Sequence, residues 1–106
     1  MTTFDKREEA FEKKFTIDEE LKFKSVARRN KLLGLWVAEK LGKSGADADA
    51  YAKEVVAAGI DGGEASVIRK AMADLSAKGS AITEAELSAK TVELLAVAVV
   101  QVKSGT

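Results

Sequence analysis

The side chains able to do chemistry in this 106-residue chain are carboxylates, lysines, arginines and hydroxyls; there is no His and no Cys. No imidazole can act as a base, no thiolate as a nucleophile, no disulfide can form, and the usual zinc ligands are missing. Carboxylate pairs occur at Asp47/Asp49 and Glu84/Glu86, but no base or pocket signature accompanies them. Gly42-Lys43-Ser44 matches the end of a phosphate-binding loop. That motif needs a glycine at position 37, where Val37 stands, and a strand leading in, where a helical pattern runs instead. The bland reading is a helix stop followed by a cap. The sequence therefore predicts a non-enzyme with no cofactor and no metal.

A different chemistry is legible at the N-terminus. Phe4, Phe11 and Phe15 are spaced by seven and four residues. At 100° per residue they fall within about 20° of one direction, so a helix over 4–15 would carry one aromatic stripe. Charged residues fill the other faces, and Glu9–Lys13 has the favourable i, i+4 order. A helix this short is marginal alone, so the segment is expected to be frayed until its rings find a groove. The competing reading packs the stripe on the protein's own core.

Charge divides the chain further. Residues 1–20 hold four positives against seven negatives, residues 21–45 seven against one, and residues 46–106 six against nine. The basic centre, with Lys22, Lys24, Arg28 and Arg29 as its candidate patch, would pair with the acidic flanks or meet an acidic partner. Nucleic acid is the alternative partner for residues 22–31, but zero net charge and one aromatic argue against it. The stretch also lacks the clean apolar face of a membrane-surface helix.

The elements that must position these groups are helices. Between the glycines the chain is rich in Ala, Leu, Lys and Glu. Thr16-Ile-Asp-Glu19 and Thr83-Glu-Ala-Glu86 are capping boxes, the second inside an Ile82/Leu87 hydrophobic staple; Ser44-Gly-Ala-Asp47 is a weaker one. Helices are expected at 17–41, 46–58, 64–78 and 84–103, ending near Gly42, Gly59, Gly79 and Gly105, with 59–63 as an interhelix turn. Their apolar stripes are Val26, Leu33 and Val37 beside Leu32 and Trp36; then Ile68, Ala71, Met72 and Leu75; then Leu87, Leu94, Leu95, Ala98 and Val102. The run 94–100 is apolar all round and suggests a helix buried on most sides, with a strand over 97–102 as its rival. Gly34 inside the first helix suggests close helix packing. The expectation is all-α: a small four-helix bundle over residues 17–106 and a flexible segment over 1–16 that becomes helical on binding. No apolar run spans a bilayer and no apolar stretch follows Met1, which predicts a soluble cytoplasmic protein.

Two stretches carry a resemblance. Phe4-Asp-Lys6-Arg7-Glu8-Glu-Ala10-Phe-Glu12 resembles the inhibitory helix of the natural inhibitor proteins of F-type ATPases, at Phe4, Lys6, Arg7, Glu8, Ala10 and Glu12. Ala27-Arg-Arg-Asn-Lys-Leu-Leu-Gly-Leu-Trp36, with Ala38-Glu39, Gly42, Ser44-Gly-Ala46 and Tyr51-Ala-Lys-Glu-Val-Val56, is similar to the zeta subunit of alpha-proteobacterial ATP synthases. The resemblance implies a four-helix protein, a monomer when free, that binds the ATP synthase head of alpha, beta and gamma subunits. Its N-terminal segment would insert at a catalytic interface and stop rotation in the hydrolytic direction, leaving the protein peripheral to the inner membrane without inserting in it. Phe4, Lys6, Arg7, Glu8, Ala10, Phe11, Glu12 and Phe15 would form the binding segment. Histidine-based pH control, linked to the mitochondrial inhibitors, has no residue to carry it here.

Overall fold

The computed structural model describes residues 19–105. They form three helices, α1 (Glu19–Lys40), α2 (Gly45–Lys78) and α3 (Glu84–Lys103), and contain no strand. The all-α expectation holds for these residues; the count is three helices rather than four. The Thr16 capping box lies outside the described residues.

α1 opens with Glu19 and Glu20 and ends with Lys40, which matches the helix dipole at both ends. Gly42 stops it in the left-handed region, at φ 80°. There Lys43 N–H reaches the Ala38 carbonyl at 2.9 Å and Gly42 N–H the Glu39 carbonyl at 3.1 Å, closing the last turn. The Gly-Lys-Ser sequence is thus occupied as a helix stop. Ser44 sits at the N-cap of α2 in extended backbone, but its hydroxyl makes no cap bond, so the weaker capping box does not form.

The expected second and third helices run as one element bent at Gly63, whose φ 75° and ψ −167° are non-helical. A positive φ there suits glycine alone among common residues. Gly59, expected to end a helix, stays inside one. The space its Cβ would take is filled by the Asn30 amide of α1, with Val67 Cγ2 at 3.2 Å. The glycine serves close approach between helices rather than termination, and one break at Gly63 does not make a turn wide enough to separate two helices.

α3 starts as its capping box and staple predict. Thr83 Oγ1 accepts from Glu86 N–H at 3.1 Å. The Glu86 carboxylate accepts from the Thr83 hydroxyl at 3.3 Å. Leu87 is fully buried and Ile82 packs on the core. The helix runs on to Lys103, so the strand alternative for 97–102 is not taken.

α1 lies between α2 and α3, which touch each other little. Leu33, Val37, Val55, Val67, Leu75 and Leu87 are fully buried at the centre. Each such side chain contributes on the order of 1.5–3 kcal/mol relative to exposure. Thr91 is buried because its hydroxyl donates back to the Leu87 carbonyl at 2.8 Å. The apolar run 94–100 is not buried on most sides: Val97 is 40% and Val100 66% exposed, since α3 packs on one flank only.

Candidate functional site

The expected binding segment (Phe4, Lys6, Arg7, Glu8, Ala10, Phe11, Glu12 and Phe15) lies outside the described residues. It precedes α1 directly in the chain. The secondary basic patch is inside them, and the structure separates its members. Lys22 and Lys24 are exposed. Lys24 pairs with Glu20 one turn earlier at 3.0 Å. Arg28 is half-buried and donates from Nη1 to Gln101 Oε1 of α3 at 2.9 Å. Arg29 is 4% exposed and belongs to the interior. Its Nη1 donates to Glu64 Oε1 at 2.8 Å and its Nε to Asn30 Oδ1 at 3.0 Å. It ties α1 to the first residue past the bend in α2, so sequence alone misplaced it on a surface.

Two adjoining depressions run along α1. One, of about 500 Å³, is lined by Phe23, Lys24, Ala27, Arg28, Val56 and Val102 among others. The next, of about 430 Å³, is lined by Ala52, Lys53, Asp49 and, shared with the first, Lys31 and Val56. Positions 23, 27 and 31 are one helical row and 24 and 28 the row beside it, so α1 walls the first depression and reaches the second through Lys31. Val56 is set opposite them because Gly34 lets α2 approach; a Cβ there would stand 2.6 Å from Ala52 Cα. The result is a groove with an apolar floor and a basic rim. Phe23 is 67% exposed at its mouth, which leaves most of an aromatic ring in water. Residues 22–31 signal one wall in the sequence. Lys53, Val56 and Val102 carry no such signal, because only the tertiary fold brings them to it.

On another face Tyr51 Oη donates to Asp74 Oδ2 at 2.7 Å. Lys70 Nζ bridges Glu54 at 3.0 Å and Asp74 at 3.2 Å, and lies 5.0 Å from the centre of the Tyr51 ring. Burial, then the Asp74 hydrogen bond, then the charges of Asp74 and Glu54, hold the Tyr51 phenol far above its ordinary pKa. Burial pulls Lys70 down, but its hydrogen bonds and charges with Glu54 and Asp74 more than offset it and leave the ammonium above its ordinary value. Each group is held in its protonated form at neutral pH, so the cluster is a structural clamp between the two halves of α2 and not an acid–base pair. Trp36 meets Lys40 and Lys90 at 5.3 and 5.4 Å from its ring. No group of three or more metal-ligating side chains occurs among the described residues, and no helix of theirs is long and apolar enough to cross a membrane.

Comparison with known proteins places this geometry. A solved structure, determined by solution NMR, is 49% identical in sequence and covers 81% of this chain and 99% of its own, with a TM-score of 0.71. No curated protein matches the chain. The family model described as ATPase inhibitor subunit zeta matches residues 1–101, almost the whole length, and therefore takes in the aromatic N-terminal segment, α1, α2 and all but the last two residues of α3. This chain belongs to the ATPase inhibitor subunit zeta family.

Proposed function

We propose that the chain is a regulatory inhibitor, not an enzyme, of an F-type ATP synthase, and that residues 1–16 are the part that enters a catalytic interface of the ATPase head. The observation that carries this reading is the span of the family match, residues 1–101, which begins at the segment holding the aromatic stripe. In this mechanism Phe4, Phe11 and Phe15 anchor the inserted helix, since aromatic rings dominate well-packed interfaces. Lys6, Arg7, Glu8 and Glu12 set its register by pairing with charges at the rim, and the small Ala10 keeps one side narrow. A helix wedged between alpha and beta subunits beside gamma blocks the rotation that hydrolysis drives. The body stays outside. The segment lies within a few positions of Glu19, the first described residue of α1, and a second contact by the body would raise the segment's effective concentration.

The test is ATP hydrolysis by an isolated ATPase head with the full chain, with residues 1–16 removed, and with Phe4, Phe11 and Phe15 replaced by Ala. Inhibition by the full chain should disappear on truncation and weaken by roughly tenfold or more per ring in the alanine variant. Equal inhibition by the truncated protein would remove the segment from the mechanism.

A further inference from the structure

We propose that the groove between α1, α2 and the end of α3 is a second docking site on the ATPase head, taking an acidic segment of that head whose carboxylates flank bulky apolar side chains. The proposal rests on the inhibitor reading above but concerns the body rather than the N-terminal segment.

Two properties of the groove select this occupant. Its floor of Ala27, Ala52, Val56 and Val102 is apolar, with the exposed ring of Phe23 at the mouth, and it offers side chains rather than phosphates something to bury. Lys24, Arg28, Lys31 and Lys53 rim it, against Asp49 as the one carboxylate in the lining. A cationic border around an apolar seat is complementary to an acidic amphipathic segment. The rim is also prepared. Arg28 is oriented by Gln101 at 2.9 Å before any partner arrives. Lys24 gives up only an exposed i, i+4 pair with Glu20, a contact of small net value that a partner's carboxylate can replace.

Other occupants fit less well. Residues 1–18 of the chain hold Lys6, Arg7, Lys13 and Lys14 against Asp5, Glu8, Glu9, Glu12 and Asp18, so their charges nearly cancel and the rim has little to attract. A second copy of the chain has no net charge either. A polynucleotide would satisfy the rim and leave the apolar floor wet.

The experiment uses full-length protein and measures association and dissociation on an isolated ATPase head at low and moderate salt, with hydrolysis followed in parallel. The variants are Lys31→Glu/Lys53→Glu, Lys31→Arg/Lys53→Arg and Phe23→Ser, all at exposed positions, so circular dichroism and melting should match the parent. Charge reversal should slow association by about tenfold or more and flatten its salt dependence, while the arginine pair retains both. Phe23→Ser should raise the dissociation rate by roughly tenfold. Maximal inhibition at saturating protein should persist in every variant, because residues 1–16 are untouched. Parent-like rates in the reversal and serine variants, while the parent protein still inhibits, overturn the groove proposal and spare the inhibitor reading. Faster association after either change would show that the chain's own N-terminal segment fills the groove, and overturns it too. So would a parent dimer that the variants dissolve, or retention of the parent by a short duplex DNA at the same salt. A parent that neither binds nor inhibits the head brings down the inhibitor reading and this proposal together.

Discussion

Gly34 marks the closest approach of α1 to α2, and replacing it with alanine tests whether that approach is as tight as described. The added methyl would lie 2.6 Å from Ala52 Cα, 3.2 Å from Ala52 Cβ and 3.3 Å from Val55 Cβ. The nearest of these atoms is backbone and cannot rotate away. Carbon atoms at rest stand about 3.5–4.0 Å apart, so the helices must separate by on the order of an ångström. That shift would loosen Leu33, Val37 and Val55, which are now fully buried. Overpacking of this kind costs typically 1–3 kcal/mol, sometimes more. Alanine also improves helix propensity by up to about 1 kcal/mol relative to glycine, and Gly34 has no positive φ that alanine would strain. The two effects oppose each other, and the clash with backbone should win by about 1–2 kcal/mol. Urea denaturation should show that loss as a lower midpoint, and thermal melting as a drop of roughly 4–16 °C at about 4–8 °C per kcal/mol for a domain of this size. An alanine variant as stable as the parent, or more stable, would refute the close-packing account and with it the geometry of the groove wall.

Two further outcomes follow from buried polar groups. Ser25 Oγ is buried with no hydrogen-bond partner among the described residues, so Ser25→Ala should be neutral or stabilise the fold by up to about 1 kcal/mol in urea titration. Tyr51→Phe should cost about 1 kcal/mol at neutral pH and reduce the alkaline loss of stability. The folded protein resists ionising Tyr51 whereas the unfolded chain ionises it near its ordinary value of about 10, so the parent's stability is whole below that pH and falls as pH rises beyond it, a slope the phenylalanine variant should largely lose in unfolding curves taken across that range.

Local chemistry made much of the fold readable. The Thr83 cap with its staple and the stop at Gly42 are short-range devices written in consecutive residues, and each appears where its pattern places it. Gly59 reads as a helix end because a glycine required by a neighbouring helix has the same letter as one required by a turn. Only the position of Asn30, 29 residues away, distinguishes them. Arg29 reads as a surface residue for a related reason: a guanidinium looks like surface until Glu64 is brought to it across the bend in α2. The exposed valines of α3 reflect a three-element packing that leaves an outer flank bare, and no periodicity in α3 itself records how many neighbours it will have. The groove was half legible, since α1 carries its wall as a helical row while Lys53, Val56 and Val102 arrive from other elements.

Trp36 is the chain's single tryptophan, and it is held at the seam of α1 and α3 by ammonium groups from both, Lys40 and Lys90. Its fluorescence is therefore a native spectroscopic gauge of whether those two helices remain together. Because no second indole contributes, the emission of the protein reports this one seam alone. It separates the integrity of the body from whatever happens at the far end of the chain, with no dye attached.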